Sequence, residues 1–121
     1  FGGMPHDFIL SKMQKCDIFC FPSFHNGEGH SNSINEAMMN SMVIISTKNG
    51  FLGDVLNEKI AYFIDEKSSE DIENAIKKII EDREEAISKA KEGYIHLKKY
   101  YTVSDVKEII EMKYSELISN A

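Results

Sequence analysis

The sequence predicts an α/β fold in which helices flank a mainly parallel sheet. Two short runs, at residues 17–22 and 43–47, are apolar at most positions, which is typical of strands buried on both faces of a parallel sheet. A segment of helix length separates them, so strand, helix and strand form a right-handed βαβ unit. Amphipathic helical segments fill the sequence after residue 68. This alternation of strands and helices indicates the α/β class.

Length and composition limit the kinds of protein that this chain can be. Its 121 residues suffice for one hydrophobic core, and 42% hydrophobic with 28% charged residues is ordinary for a folded domain. The net charge is −6 and Arg83 is the only arginine, so nucleic acid is not an expected partner. Cys16 and Cys20 are too few and too close for a disulfide framework, and no apolar run approaches the ~20 residues of a membrane span. We therefore expect a cytoplasmic protein.

The first half of the sequence predicts a polar loop between a strand and a helix. Residues 1–3 are interpreted as the end of a truncated strand, which would make the chain a fragment, and residues 6–15 predict a short helix. The polar loop 23–32 follows the first complete strand. Ser33 and Glu36 match a capping box, which predicts that the Glu36 carboxylate reaches back to the start of the next helix.

The second half predicts one more strand and three long helices. A turn at 47–50 and a helical turn at 51–57 precede a strand at 60–64, and Ser68 caps the helix that follows it. The helix after the loop places Ile34, Ala37, Met38 and Ser41 on one face. The later helices are expected to bury Ile72, Ala75, Ile76, Ile79 and Ile80, then Ala86, Ile87, Ala90, Tyr94 and Leu97, and last Val106, Ile109, Ile110, Tyr114 and Leu117.

Glu28 and Glu36 are the candidate functional residues. Ligands of open parallel sheets bind where loops leave the carboxyl ends of strands, and both glutamates follow the strand at 17–22. A helix start offers unpaired N–H groups to a phosphate, and a carboxylate one turn further would lie near a sugar hydroxyl. This arrangement suits a nucleotide diphosphate. The residues alone leave a purely structural interpretation open, with Glu36 as a helix cap and Glu28 as a solvated loop charge.

A longer series of residues resembles a known family. In order, the series is Cys16-Asp17-Ile18-Phe19-Cys20-Phe21-Pro22-Ser23, Glu28-Gly29, Asn35-Glu36-Ala37-Met38, Val43-Ile44-Ile45-Ser46-Thr47, Asn49-Gly50 with Asp54-Val55, and Tyr62-Phe63-Ile64-Asp65, followed by an amphipathic helix and the closing helices. It is similar to the C-terminal, nucleotide-sugar-binding domain of retaining GT-B glycosyltransferases of family 4, the glycosyl transferases group 1. The resemblance covers essentially the whole chain. It implies a partial Rossmann-like domain, the C-terminal part of a GT-B fold.

The resemblance also implies roles for individual residues. Glu28 would face the donor sugar as the catalytic residue. The backbone of His30, Ser31 and Asn32 would contact the sugar hydroxyls and the diphosphate. Glu36 would hold the ribose hydroxyls. The donor would be a nucleotide-diphosphate sugar, and transfer would proceed with retention at the anomeric carbon, with no cofactor and no required metal.

The rest of the enzyme would lie outside this chain. A carbohydrate or lipid-linked acceptor would bind an absent N-terminal domain, and the family's basic pair that contacts the diphosphate would lie upstream of Phe1. The fragment alone would be inactive, and its uncovered apolar surface would put it at risk of self-association. The expected process is polysaccharide biosynthesis, in the cytoplasm or peripherally at the inner membrane face.

The sequence departs from the family's pattern at several positions. His30 stands where an aromatic residue is common, and Ser31 where glycine is common. The segment Asn40-Ser41-Met42 lacks the usual Gly-x-Pro, and Asp54 replaces a glutamate. These departures leave the donor sugar and base unassigned.

A rival interpretation is a zinc site. Cys16, Cys20, His25 and His30 are suitable ligand types, but zinc fingers separate their ligand pairs by about twelve residues, and here four residues lie between Cys20 and His25. Cys20 in mid-strand is expected to be a small buried hydrophobe. A metal site is therefore not expected. The alternative function left open is a non-catalytic module that binds a nucleotide or another ligand or mediates an interaction, in which zinc could take part.

Overall fold

The computed structural model describes residues 3–119, which form a three-stranded parallel sheet flanked by helices. The elements in chain order are α1 (His6–Met13), β1 (Ile18–Phe21), α2 (Asn32–Met39), β2 (Val43–Ser46), α3 (Leu52–Val55), β3 (Ala61–Phe63), α4 (Ser69–Glu81), α5 (Arg83–Tyr100) and α6 (Val103–Ser119). The predicted α/β class is confirmed. Of the strand predicted at 1–3, Phe1 and Gly2 lie outside the described residues, and Gly3 lies in a bend.

β2 is the central strand of the sheet, in the order β1-β2-β3. All four of its residues are buried, as expected for a strand covered on both faces. β1 pairs with β2 from Ile18 opposite Val43 onward, and among residues 3–119 it has no strand on its other side. Burial of β1 on both faces is therefore a wrong prediction. Cys20 is exposed and the other three residues are half-buried, because among residues 3–119 no further strand pairs with this edge.

Hydrophobic clusters lie on both faces of the sheet. Side chains alternate along β2, so that Ile44 packs in the cluster of α2 and α3, while Val43 and Ile45 pack in the cluster of α4 and α5. α2 and α5 approach each other closely at Gly93. A Cβ at that position would lie 3.5 Å from Cγ of Met38 on α2 and 3.2 Å from Cγ2 of Ile60, so a larger residue would require the Ile60 side chain to shift slightly.

α2 ends in a Schellman arrangement that sets the direction of the chain into β2. The N–H of Ser41 donates to the carbonyl of Met38, and the N–H of Met42 donates to the carbonyl of Ala37, both at 3.0 Å. Ser41 has a φ of 52°, in the left-handed region that favours glycine. It lies beyond the helix and is exposed, so the prediction that it shares the buried face of Ile34 is wrong.

The start of α4 agrees with the prediction. Ser68 is its N-cap, and the Ser68 Oγ accepts a hydrogen bond from the N–H of Asp71 at 3.1 Å. The Asp71 carboxylate in turn accepts from the N–H of Asp65 at 2.9 Å. These two bonds join the end of the β3 loop to the first turn of the helix.

The outer helices bury a narrower face than predicted. The residues predicted to be buried but found exposed are Ile76, Ile80, Ile87, Tyr94, Val106, Ile109, Ile110 and Tyr114. α4 and α5 use mainly small residues, such as Ala75 and Ala86, to pack closely. α6 packs against α5, and no further layer within residues 3–119 covers its apolar side. The side chain of Leu117 lies outside what the structure describes.

Candidate functional site

The loops that leave the carboxyl ends of the parallel strands lie along one edge of the sheet. β1 is followed by residues 22–31, which lead into α2, and β2 is followed by residues 47–51, which lead into α3. Open α/β sheets bind ligands at this edge. All five predicted site residues lie on the first of these loops or in the first turns of α2.

Glu28 is half-buried and is held at both its side chain and its backbone. Its Oε2 accepts a hydrogen bond from the Ser23 Oγ at 2.6 Å. Its N–H donates to the carbonyl of His25, and its carbonyl accepts from the N–H of Phe51, both at 3.0 Å. Glu28 is therefore a carboxylate in a fixed position and not a freely solvated loop charge.

The loop after β2 supplies much of this support. Thr47 Oγ1 and Asn49 Nδ2 both donate to the carbonyl of Ser23, at 2.5 Å and 3.1 Å. Gly50 has a φ of 53°, and a Cβ there would lie 2.2 Å from the carbonyl oxygen of Glu28. The sequence predicts a turn here, but not its contact with Glu28. The Asn-Gly pair was the available signal, because it is typical of backbone that must turn in the left-handed region.

His30, Ser31 and Asn32 form the start of α2. Ser31 is the N-cap residue, and its carbonyl accepts from the N–H of Ile34 at 3.1 Å, while its hydroxyl makes no capping bond. The first N–H groups of the helix, at Asn32 and Ser33, have no intrahelical acceptor. Together with the helix dipole, they make this end suitable for an anion. Contact between these residues and a diphosphate stays a prediction.

Glu36 does not form the predicted capping box. α2 begins at Asn32, so Glu36 is the fifth helical residue and lies too far along the helix to reach the N-cap N–H. Its Oε1 instead lies 2.8 Å from Nε2 of His6 on α1, and its side chain is 25% exposed. The two predicted glutamates therefore take part in separate hydrogen-bonded networks, Glu28 with the loop after β2 and Glu36 with α1.

The four residues of the zinc interpretation are not brought together. Within the part of the chain that the structure describes, no three His, Cys, Asp or Glu side chains are placed to hold a metal ion. His30 has other contacts, since its Nε2 lies 2.8 Å from Oδ1 of Asn35 and its ring packs edge-on against Tyr101 with centroids 4.6 Å apart. No geometric support for a zinc site exists among residues 3–119.

Burial of His96 predicts how the stability of the protein depends on pH. Its ring contacts Tyr101, and its Nε2 is buried with no hydrogen-bond partner in the described chain. Burial lowers the pKa of His96 below its ordinary 6.5, the charge of Lys99 adds to this, and a hydrogen bond with the backbone of Val55 opposes it. Since the unfolded chain takes up this proton more readily, the folded protein should lose stability as the pH falls below 6.5.

This pH dependence is tested by thermal unfolding between about pH 7.5 and about pH 5.5, the range in which an unperturbed histidine titrates. The unfolding midpoint of the wild-type protein should fall more over this range than that of His96→Gln. His25→Gln, at an exposed position, is the matched control and should follow the wild type. Parallel profiles for the wild type and His96→Gln would contradict the prediction.

Comparison with known proteins identifies related sequences and folds. The family profile of glycosyl transferases group 1 matches residues 1–95. No curated protein sequence gives a significant match. Among residues 3–119, no helix combines the length and the apolar character that crossing a membrane requires.

Several solved structures share this fold. Sucrose-phosphate synthase from Thermosynechococcus elongatus matches with a TM-score of 0.83 and 18% identity. The matched region covers 100% of this chain and 30% of the synthase chain. The C-terminal domain of the glycosyl transferase group 1 family protein LpcC from Francisella tularensis matches with a TM-score of 0.73 and 25% identity. The matched region covers 85% of this chain and 53% of the LpcC chain. HepE from Anabaena in complex with UDP matches with a TM-score of 0.80 and 22% identity. The matched region covers 95% of this chain and 32% of the HepE chain. The chain thus spans 30% to 53% of the length of these structures.

Proposed function

The chain belongs to the glycosyl transferases group 1 family, and we propose that it forms the part of the enzyme that binds a nucleotide-diphosphate sugar. Its parallel sheet with flanking helices is the fold of a GT-B glycosyltransferase domain. One observation carries the proposal. The start of α2, with its unpaired N–H groups, and the anchored carboxylate of Glu28 both lie where the chain leaves the carboxyl end of β1.

In this proposal the donor lies along the start of α2. The diphosphate accepts hydrogen bonds from the backbone at His30, Ser31 and Asn32, because the helix end is electropositive. The donor sugar contacts Glu28. The ribose lies one turn further, where its hydroxyls replace His6 as the partner of Glu36.

The proposed reaction is transfer of the glycosyl group with retention at the anomeric carbon. No metal takes part, since the helix start provides the positive potential for the diphosphate. The acceptor, a carbohydrate or a lipid-linked group, binds a different part of the polypeptide, so the 121-residue chain binds donor without transferring the sugar. We place the enzyme in the cytoplasm or peripherally at the inner membrane face, in polysaccharide biosynthesis.

Calorimetric titration with UDP tests the proposed binding site. UDP and UDP-glucose are the first probes because Anabaena HepE was crystallised with both. We expect the native protein that carries this chain to bind UDP with a Kd of roughly 1 μM to 1 mM, the range in which the KM values of enzymes usually lie. Treatment with EDTA should leave the Kd unchanged, since no metal is proposed.

Uridine is the matched control ligand for this titration. It keeps the base and ribose but lacks the diphosphate, so it should bind at least tenfold more weakly if the start of α2 holds the phosphates. Equal affinity for uridine and UDP would refute phosphate binding at α2. Absence of binding to UDP, UDP-glucose and the other common nucleoside diphosphates would refute the donor site.

A further inference from the structure

The loop after β2 makes contacts that donor binding by α2 does not explain. We propose that this loop and Ser23 form a clamp that positions the Glu28 carboxylate for sugar transfer, an inference that rests on the proposed role of Glu28. The clamp consists of Ser23, Thr47, Asn49, Gly50 and Phe51. Its members act through Glu28 and are positioning residues, not catalytic ones.

The backbone part of the clamp is the approach of Gly50 to Glu28. The carbonyl of Glu28 accepts from the N–H of Phe51 at 3.0 Å, directly after Gly50. Any side chain at position 50 would place a Cβ 2.2 Å from that carbonyl oxygen, and the φ of 53° disfavours residues other than glycine in any case. Glycine therefore allows the two loops to meet and fixes the backbone from which the Glu28 side chain extends.

The side-chain part of the clamp is Ser23. Its hydroxyl donates to Oε2 of Glu28 at 2.6 Å, and its own carbonyl is held by Thr47 and Asn49. Thr47 is 1% exposed at the end of the central strand, so this anchor belongs to the rigid part of the sheet. The chain of contacts thus runs from β2 through Ser23 to one carboxylate oxygen and leaves Oε1 for the donor.

Such a clamp matters because catalysis depends on the exact placement of the reacting groups. A misplacement of about 1 Å can cost about 100-fold in rate. If the clamp is released, Glu28 keeps its charge but loses its fixed position. The expected effect is a lower kcat with little change in the KM for the donor, whose nucleotide lies at α2.

Hydrogen exchange tests the backbone part independently of any activity. In the native protein that carries this chain, the Phe51 amide should be protected, and Gly50→Ala should accelerate its exchange by about tenfold or more. Gly53→Ala is the matched control, since Gly53 lies in α3 and a Cβ there would meet only Lys48, its carbonyl at 3.3 Å and its side chain at 3.7 Å. Protection of Phe51 that survives Gly50→Ala, or that is lost equally in Gly53→Ala, overturns this part.

A double-mutant cycle tests the side-chain part. The measured reaction is hydrolysis of UDP-glucose, in which water takes the glucosyl group and UDP is released. Ser23→Ala should lower kcat by about 10- to 100-fold, and Ser23→Thr, which keeps the hydroxyl, should restore most of it. In the Glu28→Gln background, Ser23→Ala should cost little more, because a residue that acts through Glu28 has nothing left to position. Ser88→Ala, at an exposed position on α5, controls for a general effect of the substitution.

The outcomes separate the clamp from the proposed function. If Ser23→Ala lowers kcat by the same factor with and without Glu28, or if Ser23→Thr rescues nothing, Ser23 does not act through Glu28 and the clamp is refuted. If Glu28→Gln alone leaves kcat unchanged, the proposed role of Glu28 fails and the clamp has no catalytic purpose. In that case hydrogen exchange at Phe51 still decides whether the loop fixes Glu28.

Discussion

The proposed role of Glu28 predicts that Glu28→Gln lowers the kcat for hydrolysis of the probe UDP-glucose, in which UDP is released and water takes the glucosyl group, by about 100- to 1000-fold in the native protein. This is the usual loss when one fixed group that stabilises developing charge is removed. The carboxylate of Glu28 is held by Ser23 on one oxygen and by the loop after β2 through its backbone. Glutamine has the same size, so it removes the charge without disturbing these contacts. The affinity for UDP should change little, because UDP lacks the sugar that Glu28 is proposed to contact.

The control for this experiment is Glu108→Gln, which makes the same chemical change at an exposed position on α6. Steady-state kinetics of both variants should be measured beside calorimetric titration with UDP. A Glu28→Gln variant with wild-type kcat would show that Glu28 takes no part in the reaction. A large loss of UDP affinity would show instead that Glu28 contacts the nucleotide and that the donor binds in a different orientation from the one proposed.

Much of the fold could be predicted because its signals are local. The uniform apolar run of β2 favours burial on both faces, and Val43 to Ser46 are all buried. The start of α4 at Ser68 follows from a side chain and an N–H three residues apart. At the start of α4, a segment of four residues contains both partners of the interaction.

Predictions that depended on distant neighbours were less accurate. The apolar run of β1 could not show that β1 lies at the edge of this sheet, where Cys20 is exposed. Likewise, the apolar stripe of α6 predicted burial, but Val106 and Tyr114 are exposed because the described chain contains no layer that covers them. An apolar pattern identifies the face that favours burial, and a partner must still be present to cover it.

Predictions for the site also succeeded where the signal was local and were incomplete where it was not. The spacing of Glu28 and Glu36 and the start of α2 could be recognised from the sequence, whereas the contacts that hold the two glutamates could not. Glu36 meets His6 across 30 positions of sequence, and Thr47 meets Ser23 across 24. From the sequence, the local interaction expected for Glu36 was a capping box with Ser33. This capping box does not form, because α2 begins at Asn32, before Ser33.

Glu36→Gln is expected to weaken the binding of UDP, and not chiefly to reduce stability. Losing a charged hydrogen bond to a ribose hydroxyl costs on the order of 1.5–3 kcal/mol, or roughly 10- to 150-fold in Kd. Since Glu36 makes no capping box, the free energy of unfolding should change only by the amount that its contact with His6 contributes. That contact is largely exposed on the His6 side and is worth about 0–1 kcal/mol. Calorimetric titration with UDP and chemical unfolding measure the two effects separately.

His6→Ala is the matched control, because it breaks the same contact but keeps the Glu36 carboxylate. It should retain the UDP affinity of the wild type or increase it, since His6 no longer competes with the ribose. If Glu36→Gln and Glu28→Gln weaken UDP binding equally, the proposed division between ribose and sugar is wrong. If Glu36→Gln binds UDP as the wild type does and His6→Ala destabilises the protein to the same extent, Glu36 serves only to join α1 to α2.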